Sequence, residues 1–156
     1  MIHSQEEKVI VVESAITVET SVTNSISVDT LGYDYLVLES YLPKATAAGS
    51  ADKWLAATLG HATTTHISNA TTITGATGTT NPTATASQFV LANNQDTTFG
   101  SVLRFQVNLA PLERYIHITR MATASHSLSS TVARLSGGDA TPNTKAEQGV
   151  NSLCSV

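Results

Sequence analysis

The sequence predicts an all-β single domain, either an antiparallel β-sandwich or a jelly-roll-like domain, with extended terminal arms. Charged residues make up only 13% of the 156 residues, about half the share in an average soluble domain. Threonine, which fits a pleated surface, is abundant. Apolar residues recur in short alternating runs, and turn-forming residues separate these runs at intervals of roughly 8 to 12 positions. No segment has the sustained period of a long helix.

Composition also excludes several classes of function. The formal net charge is −4 and the eight Lys and Arg residues are scattered, so we expect no nucleic-acid partner, which would need a basic stripe. No apolar stretch approaches the ~20 residues of a membrane span, so we expect no membrane partner. Glu6 and Glu7 stand where a signal peptide is basic, which argues against a secretion signal. Cys154 is the only cysteine, so no disulfide scaffold is expected.

The N-terminal part contains a series of short predicted strands. "EKVIVVES", "AITVETSVT" and "SISVDT" are followed by "YDYLVLES" at residues 33–40. This last run places Tyr33, Tyr35 and Val37 on one face and Leu36 and Leu38 on the other. A strand with two apolar faces is a central strand, covered either by core on both sides or by core on one side and an interface on the other.

The segment after residue 42 is open to two interpretations. Pro43 and Gly49 indicate a loop before a further strand from about Trp54 to Leu59. The alternative is a short helix with Ser50 as its N-cap that runs through Ala57, because alanine favours helix.

A nearly uncharged, threonine-rich region follows at residues 60–87. We expect short threonine-rich strands there, with Gly75, Gly78 and Pro82 in the turns between them. Flexible coil is the competing interpretation for part of this region. The region is therefore predicted as a loop or hairpin within the body of the domain.

The C-terminal part has the clearest alternation. Leu103, Phe105, Val107 and Leu109 alternate with polar residues until Pro111 ends the run. "RYIHITRM" then places Ile116 and Ile118 on one face, and "HSLSSTVARL" supplies a last strand with Leu128 and Val132 as core candidates. We therefore expect a body at residues 13–135, an N-terminal strand or arm at 1–12, and an exposed C-terminal arm at 136–156.

No residue pattern indicates catalysis or a cofactor. His61 and His66 are five positions apart, which matches neither the i, i+2 spacing of metal ligands on a strand nor the i, i+4 spacing on a helix. We interpret them as surface or loop histidines. There is no G-x-S-x-G elbow, and "GATG" at residues 75–78 is too short for a phosphate loop. We predict no catalytic residue, no metal site, no cofactor and no enzymatic activity.

Three segments resemble a known family. They are "DTLGYDYLVL" (residues 29–38), "FQVNLAPLERYIHI" (105–118) and "STVARL" (130–135). They are similar to the "IDT-x-GYDYL" strand, the "NVDLRGRKRYL" strand pair and the "AxLGRA"-type final strand of the capsid cement, or decoration, proteins of tailed bacteriophages. Two departures stand out. Only Arg114 and Tyr115 match the basic "RGRKRY" turn, and the often acidic region after Trp54 is here "LGHATTTHISN".

The resemblance implies a non-enzymatic viral structural protein. Such a protein binds the outside of a tailed-phage capsid and stabilises it by bridging subunits of the major capsid protein. The implied partners are that capsid protein and further copies of this chain, as a homotrimer. The implied location is the capsid exterior of the virion, with assembly in the bacterial host cytoplasm.

The same resemblance, together with the two-faced strand, nominates contact residues. Tyrosine suits a buried interface because its ring adds area while its hydroxyl keeps a partner. The predicted interface residues are Tyr33, Tyr35, Tyr41, Arg114 and Tyr115. The predicted lattice-contacting residues of the two arms are Glu7, Val9, Val11, Pro142, Lys145 and Leu153. The plainer interpretation, that all of these tyrosines belong to the core, stays open.

Two other functional classes remain. A receptor- or glycan-binding module of a phage tail would use Trp54 and a polar groove or exposed aromatic residues in the 60–87 region. A small hydrolase, the weaker alternative, would need a cleft containing His117 or His126.

Overall fold

The computed structural model describes residues 7–19, 23–43, 53–80, 88–91, 100–123 and 125–138, with the backbone alone at 14–19, 123 and 125–128. Nine strands lie in these ranges. They are β1 (Lys8–Glu19), β2 (Thr23–Asp29), β3 (Tyr35–Leu42), β4 (Lys53–Ala62), β5 (Thr71–Thr79), β6 (Gln88–Val90), β7 (Ser101–Asn108), β8 (Tyr115–Thr123) and β9 (Ser125–Ser136). A single 3-10 turn, Ile67–Asn69, lies between β4 and β5.

The strands form two sheets packed as a sandwich. Sheet A has four strands in the order β1-β9-β3-β7, and sheet B has five in the order β2-β8-β4-β5-β6. All described pairs are antiparallel except β5 and β6, which are parallel. The predicted all-β sandwich is thus confirmed.

The core lies between the sheets and follows the alternation of the strands. On β3, Leu36 and Leu38 are fully buried, and β7 contributes Phe105, opposite Leu38, and Leu103. Sheet B contributes the buried side chains Leu59, Ile116 and Ile118. Burying one such side chain stabilises the fold by about 1.5–3 kcal/mol. The period-2 pattern of β3, β7 and β8 therefore becomes the inner surface of both sheets.

The strand interpretation of the Trp54 segment is confirmed, and the helix alternative is wrong. β4 lies between β8 and β5 and forms hydrogen-bonded ladders with both. A register shift between Trp54 and Ala56 lets both Trp54 and Ala57 face the core. The helix propensity of alanine is overridden because the pairing partners on both sides are strands.

The prediction that Gly75 and Gly78 lie in turns is wrong, because both lie inside β5. Gly75 has a φ of 83° where the β4–β5 register shifts between Thr58 and Gly60, so it forms a bulge that favours glycine. A Cβ on Gly78 would lie 2.6 Å from Cζ of Phe89, so this glycine makes room for the ring. Pro82 lies outside the described residues.

Val132 is not a core residue, contrary to the sequence prediction. On β9 the core-facing side chains are Thr131, Ala133 and Leu135, all buried. Val132 alternates with them and faces outward, paired with Val11 of β1. Leu128, the other core candidate, has no described side chain.

Candidate functional site

The "DTLGYDY" segment leads the chain from β2 of sheet B to β3 of sheet A at one end of the sandwich, and its first residues are bonded to the start of β8, the neighbour of β2 in sheet B. The carboxylate of Asp29, the last residue of β2, accepts hydrogen bonds from Arg114 Nε at 2.9 Å and Arg114 Nη2 at 2.6 Å. The Arg114 guanidinium also lies over the Tyr115 ring, 5.0 Å from its centroid. The Arg114 hydrogen bond holds the pKa of Asp29 below its usual value. This pair joins the two longest segments of the family resemblance.

Backbone hydrogen bonds complete this junction. Both the amide and the hydroxyl of Thr30 donate to the Arg114 carbonyl, at 3.0 and 2.5 Å. The Tyr33 amide donates to the Thr30 carbonyl, and Gly32 has a φ of 82°, which suits the third position of a type II turn. Asp34 then accepts a bond from the Leu109 amide at 2.8 Å. The motif therefore has a structural role at this end.

The outward face of sheet A is the main candidate for a binding surface, and we call it the β3 face. Cross-strand pairing aligns its members from four strands. They are Glu7, Val9 and Val11 at β1; Ser130, Val132, Arg134 and Ser136 of β9; Tyr35, Val37, Glu39 and Tyr41 of β3; and Val102, Arg104, Gln106 and Asn108 of β7.

Apolar side chains on the β3 face surround a polar centre. Val11 is 60% exposed, Tyr35 54% and Val102 54%. These are three of the six large hydrophobic residues that are exposed in the described chain. Scattered apolar residues on a surface need no explanation, but a concentration on one sheet face is typical of an interaction site.

Glu39 occupies the centre of this face and is only 4% exposed. Its Oε1 accepts a bond from Arg104 Nε at 2.7 Å, and its Oε2 accepts one from the Tyr41 hydroxyl at 2.7 Å. Arg134 Nε lies 3.6 Å from Oε2. The carboxylate is therefore compensated, as a buried charge must be.

These contacts shift the titration of both acidic partners. The Tyr41 hydrogen bond and then Arg104 lower the pKa of Glu39, although burial opposes them. The same Tyr41–Glu39 bond raises the pKa of the Tyr41 hydroxyl. Glu39 is therefore ionised at neutral pH, and Tyr41 keeps its proton.

A second polar cluster lies inside the sandwich. Arg120 of β8 points into the core, is 1% exposed, and forms an ion pair with Glu13 of β1. Its Nη groups donate to Ser40, Thr131 and Ser129 of sheet A. Burial lowers the pKa of Arg120 to about 10. Because these ion-pair and hydrogen-bond partners all belong to the opposite sheet, this cluster connects the two layers.

His117 is buried on the outer side of sheet B beneath the 63–70 loop. It is 1% exposed. Its Nε2 lies 3.0 Å from the Thr64 carbonyl and must donate to it, while its Nδ1 lies 3.0 Å from the Ser27 hydroxyl. Both ring nitrogens are thus occupied by groups that hold the loop. The hydrolase alternative would need this imidazole in a cleft; His126 has no described side chain.

The other predicted histidines and Trp54 have simple surroundings. His61 Nδ1 lies 3.5 Å from a Glu113 carboxylate oxygen, and His66 is an exposed loop residue. Trp54 is 5% exposed and packs against Arg120, 5.6 Å from its ring centroid, so it is not an open platform for a sugar. In the described part of the chain, no three His, Cys, Asp or Glu residues are grouped as a metal would require.

The structure brings one group of predicted contact residues together on the β3 face. Tyr35, Tyr41, Val9, Val11 and Glu7 lie there. The two tyrosines are predicted interface residues, and the other three are predicted lattice contacts of the N-terminal arm. The described part of that arm is paired strand, because Lys8 begins β1.

The other predicted contact residues lie elsewhere. Arg114 and Tyr115 lie at the start of β8, beside Asp29 of β2, within sheet B. Tyr33 is half-buried and packs against the core, with Gly138 so close that a Cβ there would lie 3.0 Å from the Tyr33 ring. Pro142, Lys145 and Leu153 lie outside the described residues.

Sequence reasoning missed Glu39, Arg104 and Arg134 as members of the same surface. The signal was present, since Glu39 alternates with Leu38 and Ser40 and so shares a face with Tyr35 and Tyr41. Assigning its partners required the strand order, which places Arg104 and Arg134 on the two neighbours of β3.

Comparison with known proteins adds little. No family model matches the chain, and no curated protein matches it. Among solved structures, the chain is similar to that titled "Crystal structure of dimeric latent PorU from Porphyromonas gingivalis", with a TM-score of 0.42 and 12% identity over 86% of this chain and 13% of that chain. The chain thus spans a small part of that protein, and a likeness this low carries no functional argument. Within the described ranges no helix is long and apolar enough to cross a membrane.

Proposed function

We propose that this chain is a non-enzymatic structural protein that binds the outside of a tailed-phage capsid and stabilises it by bridging subunits of the major capsid protein. The proposal combines the resemblance of residues 29–38, 105–118 and 130–135 with one observation. The β3 face exposes apolar side chains around a carboxylate, Glu39, whose charge is already compensated.

This combination suits docking because the carboxylate at the centre of the face needs no new partner. Burying an unpaired carboxylate is costly, whereas Glu39 already has its hydrogen bonds. The exposed rings and valines around it supply apolar area, and charged residues are depleted at the core of protein interfaces.

The size of the face is sufficient for one contact in a repeating lattice. β3 has eight residues and sheet A has four strands, so at about 3.3 Å per residue and about 4.8 Å per strand the face covers roughly 500 Å². Two such surfaces bury about 1,000 Å², the lower limit for a specific interface. Contacts to several capsid subunits would add to the avidity.

Stabilisation would follow from selective binding to the assembled shell. A ligand that binds only one state shifts the equilibrium towards that state by mass action. In the proposed assembly the chain is a homotrimer on the capsid exterior of the virion, and it joins the shell in the bacterial host cytoplasm. The threonine-rich β5, which exposes Thr71, Thr72 and Thr74, is the proposed surface around the threefold axis.

The proposal is tested with the purified protein and empty expanded capsids, assembled from the major capsid protein of the same genome. Light scattering behind a sizing column gives the mass of the free protein, and co-sedimentation gives the bound fraction. We expect a trimer that pellets with capsids at a saturable stoichiometry. A protein that stays in the supernatant at every capsid concentration would contradict the proposed function.

A further inference from the structure

We infer that the capsid surface recognised by the β3 face presents a carboxylate, which seats between Arg104 and Arg134. This inference rests on the proposed function and adds the chemistry of the partner. Its basis is the position, hydrogen-bonding capacity and charge of these two arginines.

The two arginines flank the centre of the face from opposite sides. Arg104 of β7 is directly opposite Glu39, and Arg134 of β9 is opposite Val37 on the other neighbour of β3. Both guanidinium groups turn towards the same carboxylate, since Arg104 Nη2 lies 2.5 Å from Glu39 Oε1 and Arg134 Nε lies 3.6 Å from Oε2. They therefore border one central position on the face.

The Glu39 carboxylate does not satisfy all of the donors around it. A guanidinium carries five N–H donors in a planar fork. Arg104 uses Nε and Nη2 on Glu39. Arg134 approaches Glu39 at 3.6 Å and Glu7 at 3.7 Å, and both distances exceed those of good hydrogen bonds. Within the described residues, Arg134 therefore has donors available for a partner.

The exposure of these groups gives the centre of the face a positive character. The Arg104 and Arg134 side chains are 58% and 42% exposed, whereas the Glu39 side chain is 6% exposed. A partner thus meets two guanidinium groups above a covered carboxylate, although the whole chain has a net charge of −4. The other carboxylate of the face, Glu7, lies beside Arg134 and is 37% exposed. A planar fork of this kind binds a carboxylate in two places at once.

The same charge argues against a second copy of the chain as the occupant. Two β3 faces related by a twofold axis would bring four guanidinium groups into one interface. Only the two Glu7 carboxylates would be exposed to oppose them, since Glu39 is covered. Like charges opposed in an interface are unfavourable. An acidic group on the capsid protein, set among apolar residues, complements both the charge and the valines and tyrosine around it.

The test compares Arg134→Gln with Arg114→Gln in the capsid co-sedimentation assay, at low and high salt. The two side chains are matched, since Arg134 is 42% exposed and Arg114 44%, and both lie beside an acidic residue. Arg114 lies beside β2 in sheet B and not on the β3 face. Thermal unfolding of each variant checks that the fold is intact.

We expect Arg134→Gln to weaken capsid binding about tenfold to a hundredfold at low salt, the range for losing a hydrogen bond to a charged group. High salt should narrow the difference in capsid affinity between Arg134→Gln and the wild type, because salt screens charge interactions. Arg114→Gln should bind capsids like the wild type. Equal affinity of Arg134→Gln and wild type would overturn the carboxylate inference while leaving capsid binding intact. Equal weakening by both variants would overturn the carboxylate inference too, since it would indicate that capsid binding depends on the overall positive charge and not on the β3 face. A wild type that ignores capsids would remove the proposed function and this inference with it.

Discussion

Arg120 and Glu13 form an ion pair across the interior of the sandwich, one residue from each sheet. Their side chains are only 1% and 8% exposed. Three hydroxyl groups of sheet A accept further bonds from the same guanidinium. The registration of the two layers is therefore fixed by charge as well as by apolar packing.

Replacing Arg120 alone should be strongly destabilising. Arg120→Met leaves Glu13 buried without its cation, and breaking such a pair costs about 3–5 kcal/mol of the free energy of unfolding. The double variant Glu13→Gln/Arg120→Met removes both charges and should regain most of this loss. Urea denaturation of the two variants and the wild type measures the difference. A double variant less stable than Arg120→Met would show that the pair does not act as a unit.

The stability of the protein should fall in acid partly because of Glu39. Its pKa is lowered in the folded state from the usual 4.5, so the folded state is more stable when Glu39 is ionised than when it is protonated. This contribution is fully present above pH 4.5 and is lost as the pH falls through the lower folded pKa.

Glu39→Gln therefore should be less stable than the wild type at pH 7, and the gap should close below pH 4.5. Thermal unfolding at several values between pH 7 and pH 3 measures this. Asp29, whose pKa is also lowered, titrates in both proteins and cancels in the comparison. A difference in melting temperature between Glu39→Gln and the wild type that stays constant from pH 7 to pH 3 would contradict the stabilising role of ionised Glu39.

The 63–70 loop should loosen when Ser27 loses its hydroxyl. That hydroxyl contacts His117 Nδ1 at 3.0 Å and the Thr65 carbonyl at 3.2 Å. Ser27→Ala should cost about 1 kcal/mol and speed amide hydrogen exchange in the loop.

Ser25 provides the matched control for this variant. It lies on the same side of β2 and contacts only the exposed Thr119 hydroxyl, at 3.3 Å, among the contacts of described residues. Ser25→Ala should leave exchange in residues 63–70 unchanged. Equal exchange in both variants would mean that Ser27 does not hold the loop.

The sequence predicted those parts of the fold that depend on local alternation. Leu36 and Leu38 of β3, and Ile116 and Ile118 of β8, are buried as their period-2 pattern indicates. Gly75 was misassigned because a glycine in a bulge and a glycine in a turn have the same local preference for positive φ. Only the pairing of β5 with β4 distinguishes the two.

The candidate site was predicted only where it depends on local alternation and not on strand order. Tyr35 and Tyr41 are on the β3 face because the strand alternates, which the sequence displays. Glu39 belongs to the same alternation, but its bond to Arg104 spans 65 positions and depends on the strand order. Arg120 shares the period-2 face of Ile116 and Ile118, but the carboxylate and hydroxyl groups that let an arginine be buried there come from the opposite sheet.

The most direct test of docking through the β3 face compares two matched valines. Val102 is 54% exposed on the β3 face, and Val90 is 53% exposed on β6 of the other sheet. Aspartate at either position replaces an equally exposed strand valine and adds one negative charge. We would measure the capsid dissociation constants of Val102→Asp, Val90→Asp and the wild type by co-sedimentation. We predict that Val102→Asp binds at least about tenfold more weakly, because a charge must be buried in the contact, while Val90→Asp binds like the wild type. Equal binding of all three, or a loss confined to Val90→Asp, would contradict docking through this face.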